Sequence, residues 1–334
     1  MNICLSKERN IIYMYTIGID LGGTNIAAGI VDENYNIVKK ASTPTNATRS
    51  ADEITADIAA LCKKLTEEME LTLEDIQSIG IATPGTANSD TGEIIYANNL
   101  PFSNYPMEEK LSGFLGYKGR VHIANDANAA AKAEAVAGAA KGSKYSVMIT
   151  LGTGVGGGII LDGQVYSGFN HAGAELGHIV IVKDGRQCTC GRRGCWETYS
   201  SATGLIRTTR ERMEEARKAG RKTVMEEMIG GDLDRISGRT AFRAMQSGDE
   251  LGAEIVEEYI SYLATGLVNI INIFQPNVLS IGGGISNEGD SLIELLHDKV
   301  FAETYTRGDT PQCTLKIATL KNDAGIIGAA SLGQ

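Results

Sequence analysis

The sequence predicts an α/β protein whose sheets are covered by helices, and three observations carry that prediction. Strand-like and helix-like segments alternate along the chain. The opening pattern YTIGIDLGGTNIAAGIVD at 15–32 returns as YSVMITLGTGVGGGIILD at 145–162. At 334 residues the chain exceeds the size at which one hydrophobic core usually stops growing, so two domains with a ligand cleft are expected.

In chain order, residues 1–13 carry no pattern and are expected to be a disordered extension. Met14 opens the first strand, and alternating apolar runs at 26–31 and 35–38 around Asp32-Glu33-Asn34 predict a hairpin. A helix period follows over 51–70, then buried strands at 77–82 and 120–124 and a small-residue helix at 127–139. The second copy of the opening pattern aligns to the first without gaps. Its spacing is too long for a solenoid and fits two copies of one α/β unit, chance likeness of two glycine-rich segments being the alternative. The chain is then charged and helical to about Gly248, continues as a long helix at 251–274, and ends with strands at 278–281 and 315–318 and a helix at 323–332.

Acidic residues outnumber basic ones by 41 to 31, for a net charge of −10, and no Lys/Arg run is present, which argues against nucleic acid and membrane as partners. No stretch approaches the ~20 apolar residues of a membrane span, and the first residues lack the order of a secretory signal, so a cytoplasmic location is expected. Of six cysteines, Cys188, Cys190 and Cys195 fall within eight residues, and in a reducing compartment such clustering points to a metal before a disulfide.

Five segments carry chemistry. Asp20-Leu21-Gly22-Gly23-Thr24-Asn25 follows a strand, and its glycines let backbone N–H groups approach phosphate while Asp20 could hold Mg²⁺ through water; a plain glycine hairpin is the alternative. Its second copy around Thr153 and Gly154 offers another such nest, and Gly282-Gly283-Gly284 after a strand would let a nucleotide lie against backbone or would simply turn the chain. Asn125-Asp126 is either a helix cap or a hydroxyl ligand followed by a general base for phosphoryl transfer. His178 with Cys188, Cys190 and Cys195 matches closed tetrahedral Zn²⁺, and Glu175 and Glu197 flank this set as acceptors for sugar hydroxyls or as solvated charges.

With DLGGTN at 20–25, NDANAAA at 125–131, LGTGVGGGII at 151–160, ELGH at 175–178 and CTCGRRGCWE at 188–197, the chain resembles the ROK (repressor, open reading frame, kinase) proteins from Met14 onward, and among them bacterial glucokinases. The resemblance implies a two-lobed hexokinase/actin-like (ribonuclease-H-like) fold with a duplicated βββαβα unit and a cleft between lobes. It implies a small lobe of residues 14–124, with 320–334 returning to it, and a large lobe of 125–319 that holds the zinc knot. By the same resemblance ATP–Mg²⁺ phosphorylates glucose at its 6-hydroxyl. Asp126 is implied as base, and Asn125, Glu175, His178, Glu197 and Asn99 as sugar contacts beside the Thr83-Pro84-Gly85 loop. Asp20, Gly22, Gly23, Thr24, Asn25, Thr153, Gly154, Gly282, Gly283 and Gly284 are implied for ATP and Mg²⁺. Zinc is expected to be structural, with His178 serving metal and sugar at once. Kinases for fructose, mannose, allose or an N-acetylhexosamine are the main rivals, and some relatives accept polyphosphate. A non-catalytic sugar-binding protein is a further alternative. A sugar-responsive transcriptional repressor is a second rival class; the DNA-binding members carry an N-terminal helix-turn-helix and only 13 residues precede the first strand here, so this function is not expected. A homodimer or homotetramer is expected.

Overall fold

The computed structural model describes residues 14–97 and 99–334, so the expectation for 1–13 lies outside the described residues. The chain forms two compact units, the first comprising residues up to Asp126 together with Gly325–Gln334 and the second Ala127–Ala324.

The elements run β1 (Tyr15–Leu21), β2 (Asn25–Val31), β3 (Ile37–Pro44), α1 (Ala51–Glu68), β4 (Ile76–Thr83), β5 (Thr86–Asn88), β6 (Glu93–Tyr96), β7 (Ser103–Tyr105), α2 (Met107–Leu115) and β8 (Val121–Asn125). There follow α3 (Asp126–Val136), β9 (Ser146–Leu151), β10 (Val155–Leu161), β11 (Gln164–Val165), α4 (Glu197–Ser200), α5 (Ala202–Lys218), α6 (Met225–Ile229), α7 (Thr240–Gln246) and α8 (Glu250–Phe274). Last come β12 (Val278–Gly282), α9 (Asp290–Glu303), β13 (Thr314–Ile317) and α10 (Ala324–Ala330).

Two five-stranded sheets have matching orders, β3-β2-β1-β4-β8 in the first unit and β11-β10-β9-β12-β13 in the second. In each, an antiparallel hairpin leads into parallel strands, so the internal repeat is real at the level of topology. The gapless alignment is corrected in its second strand. Leu21 pairs with Ile26, whereas Leu151 pairs with Val155, so the first loop is one residue longer. Its turn closes from Gly22 N–H to the Asn25 carbonyl, and the second from Gly152 N–H to the Gly154 carbonyl. Matched by pairing, Gly158 corresponds to Gly29, and Thr150 takes the place of Asp20.

Some expected elements shift for local reasons. The second strand of the opening hairpin begins at Ile37 rather than 35, because the Asp32 carboxylate accepts the Asn34 and Asn36 N–H groups and holds 32–36 as a turn. The closing helix is divided into a 3₁₀ turn at Lys321–Asp323 and α10. The small sheet β5-β6-β7 and helix α2 had no legible signal in the sequence.

Glycines mark where helices meet the first sheet. A Cβ on Gly18 of β1 would stand 1.9 Å from the Ile326 carbonyl oxygen, and one on Gly80 of β4 1.8 Å from that of Ala329, so α10 lies directly on both strands. In the second unit α8 buries Ile255, Tyr259, Leu263 and Leu267 in the main core, and its Gly266 accepts the flat face of Trp196. No helix among the described residues is long and apolar enough to cross a membrane.

Candidate active site

In the first unit the parallel strands bring the polar segments to one sheet edge. Asp20 near the end of β1 pairs with Ala82 of β4, and Thr83 pairs with Asn125 at the end of β8, with Asp126 opening α3. Ligands of α/β sheets sit beyond the carboxyl ends of such strands. The side-chain amide of Asn125 donates to the Gly85 carbonyl at 3.0 Å and so fixes the Thr83-Pro84-Gly85 turn, where Gly85 has φ +89. Burial, and secondarily the nearby Asp126 charge, pushes the Asp20 carboxyl up to about 6. Helix α10 contributes to that burial, since a Cβ on Gly325 would lie 2.6 Å from Asp20 Oδ2. A divalent cation would relieve this strain, which fits the residue for Mg²⁺.

The loop at Gly22, Gly23, Thr24 and Asn25 is exposed at 23–25 and braced from behind by buried Thr45, whose Oγ1 donates to the Gly22 carbonyl at 2.6 Å and whose N–H donates to that of Thr24 at 2.9 Å. Exposed Asn99 lies beside it, 3.7 Å from where a Gly23 Cβ would stand.

In the second unit the equivalent loop, with Thr153 and Gly154 at its tip, is braced by the start of α5. Ala202 N–H donates to the Gly152 carbonyl at 2.9 Å and Thr203 Oγ1 to that of Thr153 at 2.8 Å. Glu197 adds a third tie, its Oε2 accepting the Val155 N–H at 3.0 Å. Gly282, Gly283 and Gly284 line a cavity of about 600 Å³ with Asn287, Ala318 and Lys321. A side chain on Gly283, at φ +83, would also strike the Leu151 carbonyl.

The ligating atoms of His178, Cys188, Cys190 and Cys195 all lie within 4.8 Å of one another. Cys188 Sγ is 3.7 Å from His178 Nδ1, and Cys190 Sγ is 3.6 Å from Cys195 Sγ. With Zn–S bonds of about 2.3 Å, a tetrahedron has sulfur–sulfur edges of roughly 3.8 Å, so the donor set fits zinc. Desolvation, joined by the other two sulfurs, pushes the Cys195 thiol up to about 12, a penalty that a cation would remove. Gly191 and Gly194, at φ +90 and +79, make the turn, and Trp196 Nε1–H ties the knot to the Tyr262 carbonyl of α8 at 3.0 Å. Glu175 is exposed at the start of the Leu176–His178 turn.

Sequence reasoning missed four residues that hold these groups in place: Thr45, Thr203, Gly325 and Glu134. Glu134, fully buried in α3, accepts the N–H groups of Thr319 and Leu320 at 2.9 Å each and of Ala139 at 2.6 Å. A lone carboxylate among alanines was its signal.

The ROK family model matches residues 16–334. A glucokinase of Streptomyces coelicolor is 34% identical over 322 residues, 96% of this chain and 97% of that protein. An N-acetyl-D-glucosamine kinase of Aliivibrio salmonicida is 30% identical over 280 residues, 81% of this chain and 84% of that protein. Among solved structures, a ROK family glucokinase from Streptomyces griseus in complex with glucose and AMPPNP superposes with a TM-score of 0.75 at 32% identity, covering 95% of this chain and 98% of that one. The fold is thus the expected two-lobed hexokinase/actin-like one, and by sequence and structure together the chain belongs to the ROK family.

Proposed function

We propose that this protein is an ATP-dependent hexose kinase that converts glucose to glucose 6-phosphate with release of ADP. The observation that carries the reading is the convergence of Asp20, the Gly22–Asn25 loop, Asn125 and Asp126 at the carboxyl ends of β1, β4 and β8. The likeness to glucokinases over nearly the whole chain supplies the acceptor.

In this reading Asp126 accepts the proton of the 6-hydroxyl as its oxygen forms a bond to the γ-phosphorus, while the bond from that phosphorus to the bridging oxygen breaks and its electron pair leaves with ADP. Asn125, Asn99, Glu175, His178 and Glu197 are the proposed sugar contacts. Gly22, Gly23, Thr24, Asn25, Thr153 and Gly154 face phosphates, and Gly282, Gly283 and Gly284 the nucleoside. Mg²⁺ held through Asp20 would neutralise charge on the phosphates, and zinc on His178, Cys188, Cys190 and Cys195 would be structural. Because Nδ1 of His178 faces Cys188, its Nε2 is the nitrogen assigned to sugar. We take the two compact units as the lobes, and place a cytoplasmic homodimer or homotetramer within the same reading.

An ADP-release assay with ATP–Mg²⁺ across glucose, mannose, fructose, allose, N-acetylglucosamine and N-acetylmannosamine tests it. A highest kcat/KM for glucose is expected. Preference for an N-acetylhexosamine, which the second relative's activity makes the main rival, would move the substrate but keep the reaction. No turnover on any sugar would remove both.

A further inference from the structure

Val155, at the close of the second glycine loop, is gripped from two sides. Its N–H donates to Glu197 Oε2 at 3.0 Å. On the carbonyl side, Gly177 packs so closely that a Cβ there would lie 2.1 Å from the Val155 oxygen. Both grips adjoin the cysteine–histidine cluster, Gly177 being next to His178 and Glu197 two residues beyond Cys195. The other Glu197 oxygen, Oε1, is 3.8 Å from Cys188 Sγ. The loop admits the carboxylate because residue 154 is glycine, whose Cβ would fall 2.4 Å from Oε2.

We infer that Glu197 is a positioning residue for the nucleotide, and that a tetrahedral cation binding His178, Cys188, Cys190 and Cys195 closes a clamp on Val155 that sets the loop for the triphosphate. The inference rests on the kinase reading above and adds a nucleotide-side duty to a cluster assigned there only to structure and sugar. Joining His178 to Cys195 through one ion ties the turn that carries Gly177 to the segment that carries Glu197. Backbone bonds from Trp196 N–H to the Ile179 carbonyl at 2.8 Å and from Ile181 N–H to that of Gly194 at 3.0 Å already join the two segments, and the ion adds a side-chain tie across them. Without that added tie the clamp is looser, and the Thr153 and Gly154 backbone donors must be ordered at the expense of binding free energy. The braces from Ala202 and Thr203 hold the carbonyls of Gly152 and Thr153 and leave Val155 to the clamp.

Calorimetric titration of Mg²⁺–AMPPNP with no sugar present isolates this effect. The full-length protein is compared zinc-loaded, with metal content measured, after chelation, and as the zinc-loaded variants Glu197→Ala and Glu197→Gln. Chelation and Glu197→Ala are expected to weaken binding by about tenfold, while Glu197→Gln, whose amide oxygen still accepts the Val155 N–H, stays within about threefold of the parent. Thermal melts report whether each form is folded; if chelation unfolds the protein, the zinc-loaded Ala and Gln pair decides alone. Unchanged affinity after chelation and in Glu197→Ala overturns the inference and leaves the kinase reading standing. Equal weakening in Ala and Gln overturns the hydrogen-bonded clamp. Failure of the zinc-loaded parent to bind AMPPNP at all overturns the kinase reading with it.

Discussion

The two glycine loops descend from the same strand–turn–strand pattern, yet they are built differently. The first is a four-residue turn braced by one buried threonine of its own unit's outer hairpin, Thr45, which follows β3. The second is one residue tighter and is braced by α5 and by Glu197 beside the cysteine cluster. The first unit also keeps a carboxylate, Asp20, where the second has Thr150. The matching sheet orders give two glycine loops of like topology. The first has its carboxylate, Asp20, beside it in the sequence, whereas the second takes a brace from Glu197, 42 residues beyond Val155.

The largest effect expected from breaking this comparison lies with the carboxylates. Asp126→Asn should retain glucose affinity while turnover falls by about 10²- to 10⁴-fold, read from the ADP-release assay beside a sugar titration; ordinary turnover would remove Asp126 as base. Next are the paired glycines. Gly158→Ala drives a Cβ to 2.5 Å from the Ala131 Cβ and 2.6 Å from the Ala127 carbonyl oxygen. Denaturant unfolding should show a loss of about 1–3 kcal/mol. Gly157→Ala has the Leu176 side chain as its nearest neighbour, 2.6 Å from Cδ1 and 3.1 Å from Cβ, with no backbone atom among the three nearest, and should lose less.

Asp20→Asn should do the reverse and stabilise the ligand-free protein. Its carboxyl sits at about 6 in the folded chain against 3.8 ordinarily, so the folded state holds the proton more tightly, and this group's contribution to stability falls as pH rises between those values. Melts of variant and parent should therefore diverge above about pH 4 and differ by about 1–3 kcal/mol once pH passes 6–7, with turnover lost in the variant. A gain equally large at pH 3 would show that charge is not the cause.

The smallest effects test the braces. Thr45→Val should cost about 1–2 kcal/mol because it strands a bond inside the unit, whereas Thr203→Val, on a partly open brace, should cost under about 1 kcal/mol. Reversed magnitudes would show that the second loop depends on its threonine brace more than the first does.

Much of the molecule was legible because its signals are local. The strand-like run YTIGID gave β1, alternation gave β2, apolar spacing gave α1, and the three clustered cysteines with His178 marked the four residues that the fold gathers. Short strands such as β5 to β7 were not legible, since three- and four-residue segments with mixed burial leave no period to read. The resemblance implies Glu197 as a sugar contact, but its bond to Val155 spans 42 residues, and nothing near either residue announces it.

By itself the sequence determined the α/β class, the duplicated hairpins, the metal-fitting cluster and the polar segments that end the strands, because each depends on residues close together in the chain. Only the tertiary structure decided the one-residue difference in pairing between the copies, the raised Asp20 carboxyl beneath α10 and the two-sided hold on Val155. Each of these follows from close approach of distant segments, where burial and the absence of a single Cβ set the outcome and no local pattern records it.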